Sequence, residues 1–173
     1  MIKYSRITLA AALAAAGLAL PGVSLAANAT ASSSSTVVAP ITITKSADLA
    51  FGKFAAGTGG TVTVSTSGAR TVSGTVVAMT STTTAAKFDV AGETGATYSI
   101  SLSGPAVLTS GSDTMPFASV SDLTGANTVA GNVTSGTLTA GTQSIYVGGV
   151  LTVASAQAPG TYTGSVIATV EYN

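Results

Sequence analysis

Gly160-Thr161-Tyr162-Thr163-Gly164-Ser165-Val166-Ile167-Ala168-Thr169-Val170-Glu171-Tyr172-Asn173 is the stretch on which the fold reading turns. After the turn signal Pro159-Gly160, every second side chain from Tyr162 through Val166, Ala168, Val170 and Tyr172 falls on one side of an extended chain. Such period-two alternation describes a strand with one buried face. The sequence stops one residue after Tyr172, so the expectation is a strand whose outer edge no later strand covers. Another segment must pair with that edge or it stays exposed. This places assembly ahead of catalysis among the functions to weigh.

Outward from this stretch the chain keeps the same character. Val, Ile, Thr, Tyr and Phe collect in short runs, and no segment after Ala26 holds a helical period. The predicted strands are Thr36 to Thr44, Asp48 to Phe54, Thr61 to Thr66, Arg70 to Met79, Ala86 to Ala91, Thr97 to Ser103, Met115 to Leu123, Thr137 to Leu138, Ser144 to Val153 and Tyr162 to Tyr172. Turn signals include Gly57-Thr58-Gly59-Gly60, read as a hairpin turn, with Ser67-Gly68, Ser103-Gly104-Pro105 and Gly148-Gly149. Short strands with frequent turns favour a two-sheet sandwich over a barrel.

The N-terminus reads as an export signal over residues 1–26. Lys3 and Arg6 supply positive charge, Ile7 to Leu20 an apolar run, and Ser24-Leu25-Ala26 a small-residue cleavage site. The alternative, a membrane anchor, is opposed by a short run that contains Gly17 and is closed by Pro21-Gly22. No second apolar span follows, so the mature chain is expected to carry no transmembrane segment. Beyond the signal, Lys45, Lys53, Arg70 and Lys87 face Asp48, Asp89, Glu93, Asp113, Asp122 and Glu171. That balance gives no basic footprint for nucleic acid. Cysteine is absent although an exported chain could form disulfides, so packing and strand pairing must supply the stability.

Between the signal and the first strand lies a second alternating stretch. Ala27, Ala29, Ala31, Ser33 and Ser35 take the odd positions, followed in register by Val37, Ala39, Ile41 and Ile43. From Ala27 to Thr44 the run would span roughly 60 Å at about 3.3 Å per residue, more than one strand of a small sandwich needs. It therefore divides into an arm over residues 27–36 and a domain over residues 37–173 that opens with its own strand, Pro40 suiting an edge or the join. The arm is either a pairing strand or a disordered leader.

Catalytic chemistry has little to draw on. Histidine is absent along with cysteine, which removes the usual general base, the thiol nucleophile and the commonest zinc ligands. No serine stands three residues before Lys45, Lys53 or Lys87. Asp89 and Glu93 could form an acid and base couple, but beside Ala91-Gly92 they read better as solvated loop carboxylates. The loop Asp122 to Asn127 lacks the dense oxygen spacing of a calcium site, leaving at most a weak surface one. Neither a catalytic residue, a metal site nor a cofactor is expected. Phe51, Phe54, Phe88, Tyr98, Phe117, Tyr146 and Tyr162 read as core rather than as a carbohydrate-stacking face.

The spacing from Gly160 to the penultimate Tyr172 resembles the C-terminal strand of chaperone-usher pilins. Asp48-Leu49-Ala50-Phe51-Gly52 resembles the run after the first strand of spore coat protein U and archaic pilins, though those commonly carry a cysteine pair. From Ile41 to Tyr172 the chain is also similar to an uncharacterised family of small secreted bacterial proteins allied to that group, through Phe88-Asp89-Val90-Ala91-Gly92, Tyr98-Ser99-Ile100 and Tyr146 to Val153. The resemblance implies an immunoglobulin-like β-sandwich, incomplete and completed by a donor strand. It also implies a subunit of a surface fibre or coat, in transit through the periplasm, with copies of itself, a periplasmic chaperone and an outer-membrane usher as partners. On that reading Gly160, Tyr162, Val166, Ala168, Val170 and Tyr172 form the acceptor edge, and Ala27, Ala29, Ala31, Ser33 and Ser35 the donor arm. The alternative is a self-contained secreted module that closes its own sandwich and binds a glycan or matrix ligand.

Overall fold

The computed structural model describes residues 26–173, so all of the predicted export signal except Ala26 lies outside the described residues. Residues 26–36 are exposed and carry neither helix nor strand. Val37–Asn173 forms one compact unit. Its regular structure is entirely β: β1 (Thr42–Ala47), β2 (Phe54–Ala55), β3 (Gly60–Val64), β4 (Arg70–Gly74), β5 (Val77–Ala78), β6 (Ala86–Ala91), β7 (Thr97–Ser103), β8 (Val107–Ser110), β9 (Asp113–Asp122), β10 (Ser135–Thr137), β11 (Thr142–Val153) and β12 (Ile167–Tyr172).

β11 organises the larger sheet. Its residues Thr142 to Val147 pair with β6, Tyr146 to Leu151 with β9, and Gly149 to Val153 with β3, all antiparallel. Tyr146 and Val147 pair with β6 and β9 at once, and Gly149 to Leu151 with β3 and β9 at once. So β6 and β3 follow each other along one edge of β11 while β9 takes the other. The changeover falls at Gly148, where a Cβ would run into the Val64 carbonyl oxygen and stand 2.7 Å from the Ser65 carbonyl carbon. A glycine here lets the end of β3 close against β11. β1 adds to β6, β4 to β3 and β8 to β9.

A smaller sheet, β10-β7-β12, lies across from β6 and β11 and completes the sandwich. Between the layers Ala86, Phe88 and Val90 of β6, Tyr98 and Ile100 of β7, Leu138, and Ile145 and Val147 of β11 form one core. A second core gathers Val62, Val76, Met115, Leu151 and Val153. β11 serves both because its inward side chains continue on one face past Gly148. The immunoglobulin-like, all-β fold read from the sequence is the fold observed.

Several element readings need correction. The Gly148-Gly149 turn does not exist; the pair sits inside a twelve-residue strand. Gly57 to Gly60 is not a hairpin turn, because β2 pairs with β5 while β3 pairs with β11 and β4, so the loop links two sheets. The strand predicted over Thr36 to Thr44 starts at Thr42, and Val37 is 94 % exposed. Asp48 to Phe54 is not one strand but is broken at Gly52, which takes φ 69°: Ala50 bridges Thr84 before the break, and Phe54 opens β2, paired with β5, after it. Arg70 to Met79 splits at Gly74 into β4 and β5, which pair with different partners. β8, behind Gly104-Pro105, was not anticipated.

Gly148→Ala is expected to lower unfolding stability by about 3 kcal/mol, the upper range for overpacking, read as a shift of the urea midpoint without a change in slope. An unchanged midpoint would show that β3 has room to move away from β11.

Candidate functional site

β12 is an edge strand of the smaller sheet. It pairs with β7 from Ile167 opposite Ser103 to Tyr172 opposite Tyr98, and its other edge has no strand partner among the described residues. Val166, Ala168, Val170 and Tyr172 turn inward against the first core, yet all four remain only half buried. Ile167, Thr169 and Glu171 face out and are exposed. The alternation predicted from Val166 to Tyr172 is therefore present.

It does not extend back to Tyr162. That residue packs against the second core, donates its hydroxyl to Ala158 O at 2.8 Å and accepts from Gln157 Nε2 at 2.7 Å. Residues 162–166 are no strand; a single bridge ties Thr163 to Thr109 of β8. Gly160, predicted as part of the edge, is exposed and lies against Ser110 instead. Tyr162 and Gly160 thus belong to the approach to β12 and not to its apolar row.

That approach forms one rim of a groove of about 1040 Å³. Residues 157–166 make this rim, residues 45–56 the opposite one, and Ala86, Leu108, Met115, Phe117 and Leu151 line the space between. Phe51 and Phe117 meet there edge to face, with ring centroids 6.0 Å apart and planes at 86°. Each rim is pinned from outside. Thr163 and Thr109 exchange two backbone hydrogen bonds at 2.9 and 3.0 Å. On the other rim, the Arg70 guanidinium donates to Phe51 O at 3.0 Å, Lys53 O at 3.1 Å and Met79 O at 2.7 Å. No hydrogen bond crosses from rim to rim among the described residues. Such a trough, with its backbone walls held apart, fits an extended segment better than a compact ligand.

The other free edge near the groove is blunted. β1 pairs only with β6, and its register slips between Lys45 and Ala47, a bulge. By alternation Lys45 would point inward, but it is exposed at the groove mouth and pairs with Asp48 at 2.6 Å. Bulges and lysines protect an edge against pairing. β12 has neither, nor a proline.

The remaining candidates resolve into structural roles. Asp122 organises its own loop: its carboxylate accepts from the Thr124, Gly125 and Ala126 amides and from the Thr66 and Thr128 hydroxyls at 2.6 to 3.0 Å. No group of three or more acidic residues close enough to hold a metal occurs among the described residues. Partial burial pushes the Asp122 carboxyl up, but the donors from Thr66, Gly125, Thr128 and Thr124 together outweigh it and hold it below the ordinary value. Asp89 is not a loop carboxylate but a residue of β6. Its carboxyl is lowered first by the Ser144 hydroxyl at 2.7 Å and further by Lys87 at 3.1 Å. Glu93 binds elsewhere, accepting the Ala39 amide at 3.1 Å, so the two carboxylates share no partner. The aromatic residues occupy separate places: Phe88 and Tyr98 are buried, and Tyr146 lies under Lys87 Nζ at 5.8 Å.

Because the folded Asp122 value lies below the unfolded one near 3.9, its stabilisation is complete above about pH 4 and is lost as pH falls through the folded value. Asp122→Asn is therefore expected to lower stability at pH 7 and to flatten the acid limb of the stability profile, measured by urea titration at stepped pH. An acid limb unchanged from the parent would remove Asp122 from the account.

Comparison with known proteins gives a family and no closer relative. A family model described as Domain of unknown function (DUF4402) matches residues 41–172. No curated protein and no solved structure matches the chain. No helix among the described residues is long and apolar enough to cross a membrane. The family match runs from the residue before β1 to the last residue of β12, and the chain belongs to the DUF4402 family.

Proposed function

We propose that this protein is a structural subunit of a bacterial surface fibre or coat, exported and assembled by strand addition between copies, and not an enzyme. The observation that carries this reading is the edge of β12: six residues in unbroken register, unprotected, over an apolar row that the domain leaves half buried. An added strand would satisfy the free backbone groups and cover Val166, Ala168, Val170 and Tyr172. Taking a valine from full exposure to full burial contributes about 1.5–3 kcal/mol, so covering the half-buried Val166 and Val170 would recover part of that each and favours occupancy.

The arm over residues 27–36 is the proposed donor, with Ala27, Ala29, Ala31, Ser33 and Ser35 turned into the acceptor. It carries no charge and no proline and is exposed. Its small side chains leave most of the affinity to main-chain hydrogen bonds, as in β-augmentation generally. Within the domain, Ala39 is held to Tyr172, at the far end of β12 from the groove. An arm passed from each copy to the next makes a head-to-tail contact that does not close, which yields a fibre. The pilin-like resemblance supports the same reading and supplies a periplasmic chaperone and an outer-membrane usher as further proposed partners.

Mature protein from the cell surface, run on an SDS gel unheated, is expected to give a ladder of multiples that boiling collapses to monomer. Deleting residues 27–36 is expected to leave a folded monomer and no ladder. A single monomer band in both lanes, with a monomeric mass in native buffer, would point instead to the self-contained binding module.

A further inference from the structure

We propose that Tyr172, Glu93 and Ala39 form a latch that reserves the arm for a neighbouring copy by keeping it from turning back into its own groove. The inference rests on the strand-addition reading above. The Tyr172 hydroxyl donates to Ala39 O at 2.8 Å and accepts from the Glu93 amide at 2.6 Å. The Ala39 amide in turn donates to Glu93 Oε2 at 3.1 Å. Both backbone polar groups of Ala39 are thereby engaged, one by each partner. Gly92 makes room for this arrangement, since a Cβ there would run into the Tyr172 hydroxyl oxygen.

The place of the latch gives it this role. From Thr42 onward the chain is fixed in the β1–β6 ladder, so an arm that filled its own groove would have to reverse within residues 37–41. Pro40 has a fixed φ and no amide, which leaves the change of direction to its neighbours. A reversal through Ala39 would require a new backbone conformation there and the loss of both latch hydrogen bonds. Without such a block, a tethered arm would meet its own groove at an effective concentration in the millimolar range. Self-insertion would then outrun exchange between subunits.

The test uses the full mature chain. Tyr172→Phe keeps the ring and loses the hydroxyl, while Gly92→Ala displaces the hydroxyl and keeps the tyrosine. Each is expected to raise the ratio of heat-stable monomer to polymer by about tenfold, on the scale of one lost hydrogen bond. Glu93→Gln retains a carbonyl acceptor for the Ala39 amide and is expected to polymerise as the parent does. Hydrogen exchange should find the Ala39 amide protected in the parent and in Glu93→Gln but open in Tyr172→Phe. Should Tyr172→Phe fail to fold, Glu93→Ala removes the Ala39 amide bond alone and is expected to shift the ratio the same way. A parent that polymerises together with Tyr172→Phe and Gly92→Ala variants that polymerise equally well would overturn the latch and leave strand addition standing. A parent that never polymerises would overturn strand addition, and the latch with it.

Discussion

The larger sheet is hung on the two edges of β11. One edge is shared end to end by β6 and β3, the other is taken by β9, and the inward face feeds both cores. A chain without cysteine has no covalent tie to replace this pairing. The arrangement also separates two regions of the sandwich. Around β6 and the first half of β11 the layers meet β7 and β12; around β3 and the second half the second core is covered by loops and short strands. The groove lies where these regions meet, because β1 stops at Ala47 and β12 begins only at Ile167.

From that geometry follows an asymmetry along the gap between β1 and β12. At one end Tyr172 joins the chain before β1 to the Gly92-Glu93 turn through hydrogen bonds. At the other end the rims are held by Arg70 and by the Thr109–Thr163 bridge, and no hydrogen bond among the described residues joins one rim to the other. The gap is thus closed at one end and open at the other, where the groove lies. Polar pairing fixes one of these rims: the Arg70 guanidinium gathers the carbonyls of Phe51, Lys53 and Met79 on one cation.

Local alternation made much of this legible. Ala86 to Ala91 and Thr97 to Ser103 were read with their observed bounds because each keeps strict period two between clear breaks. The same rule placed the inward row of β12 but carried it too far, to Tyr162, because alternation says nothing of which neighbour a segment bonds. Glycines misled in both directions. Gly148-Gly149 looks like a turn but serves a close approach within β11, and Gly52 interrupts an apolar run that otherwise reads as a strand. The Ala39, Glu93 and Tyr172 contacts join positions up to 133 residues apart, and no local pattern announces them.

The central claim is that the outer edge of β12 accepts a strand from another copy. Backbone hydrogen exchange over Ile167 to Tyr172 reads that edge directly, comparing assembled protein with protein lacking residues 27–36. In an antiparallel pair only alternate amides of an edge strand bond to the partner, so the shortened protein should show an alternating pattern of protection. The assembled protein should show all six amides protected. An alternating pattern in both would mean that no strand is added to β12 and would contradict the account.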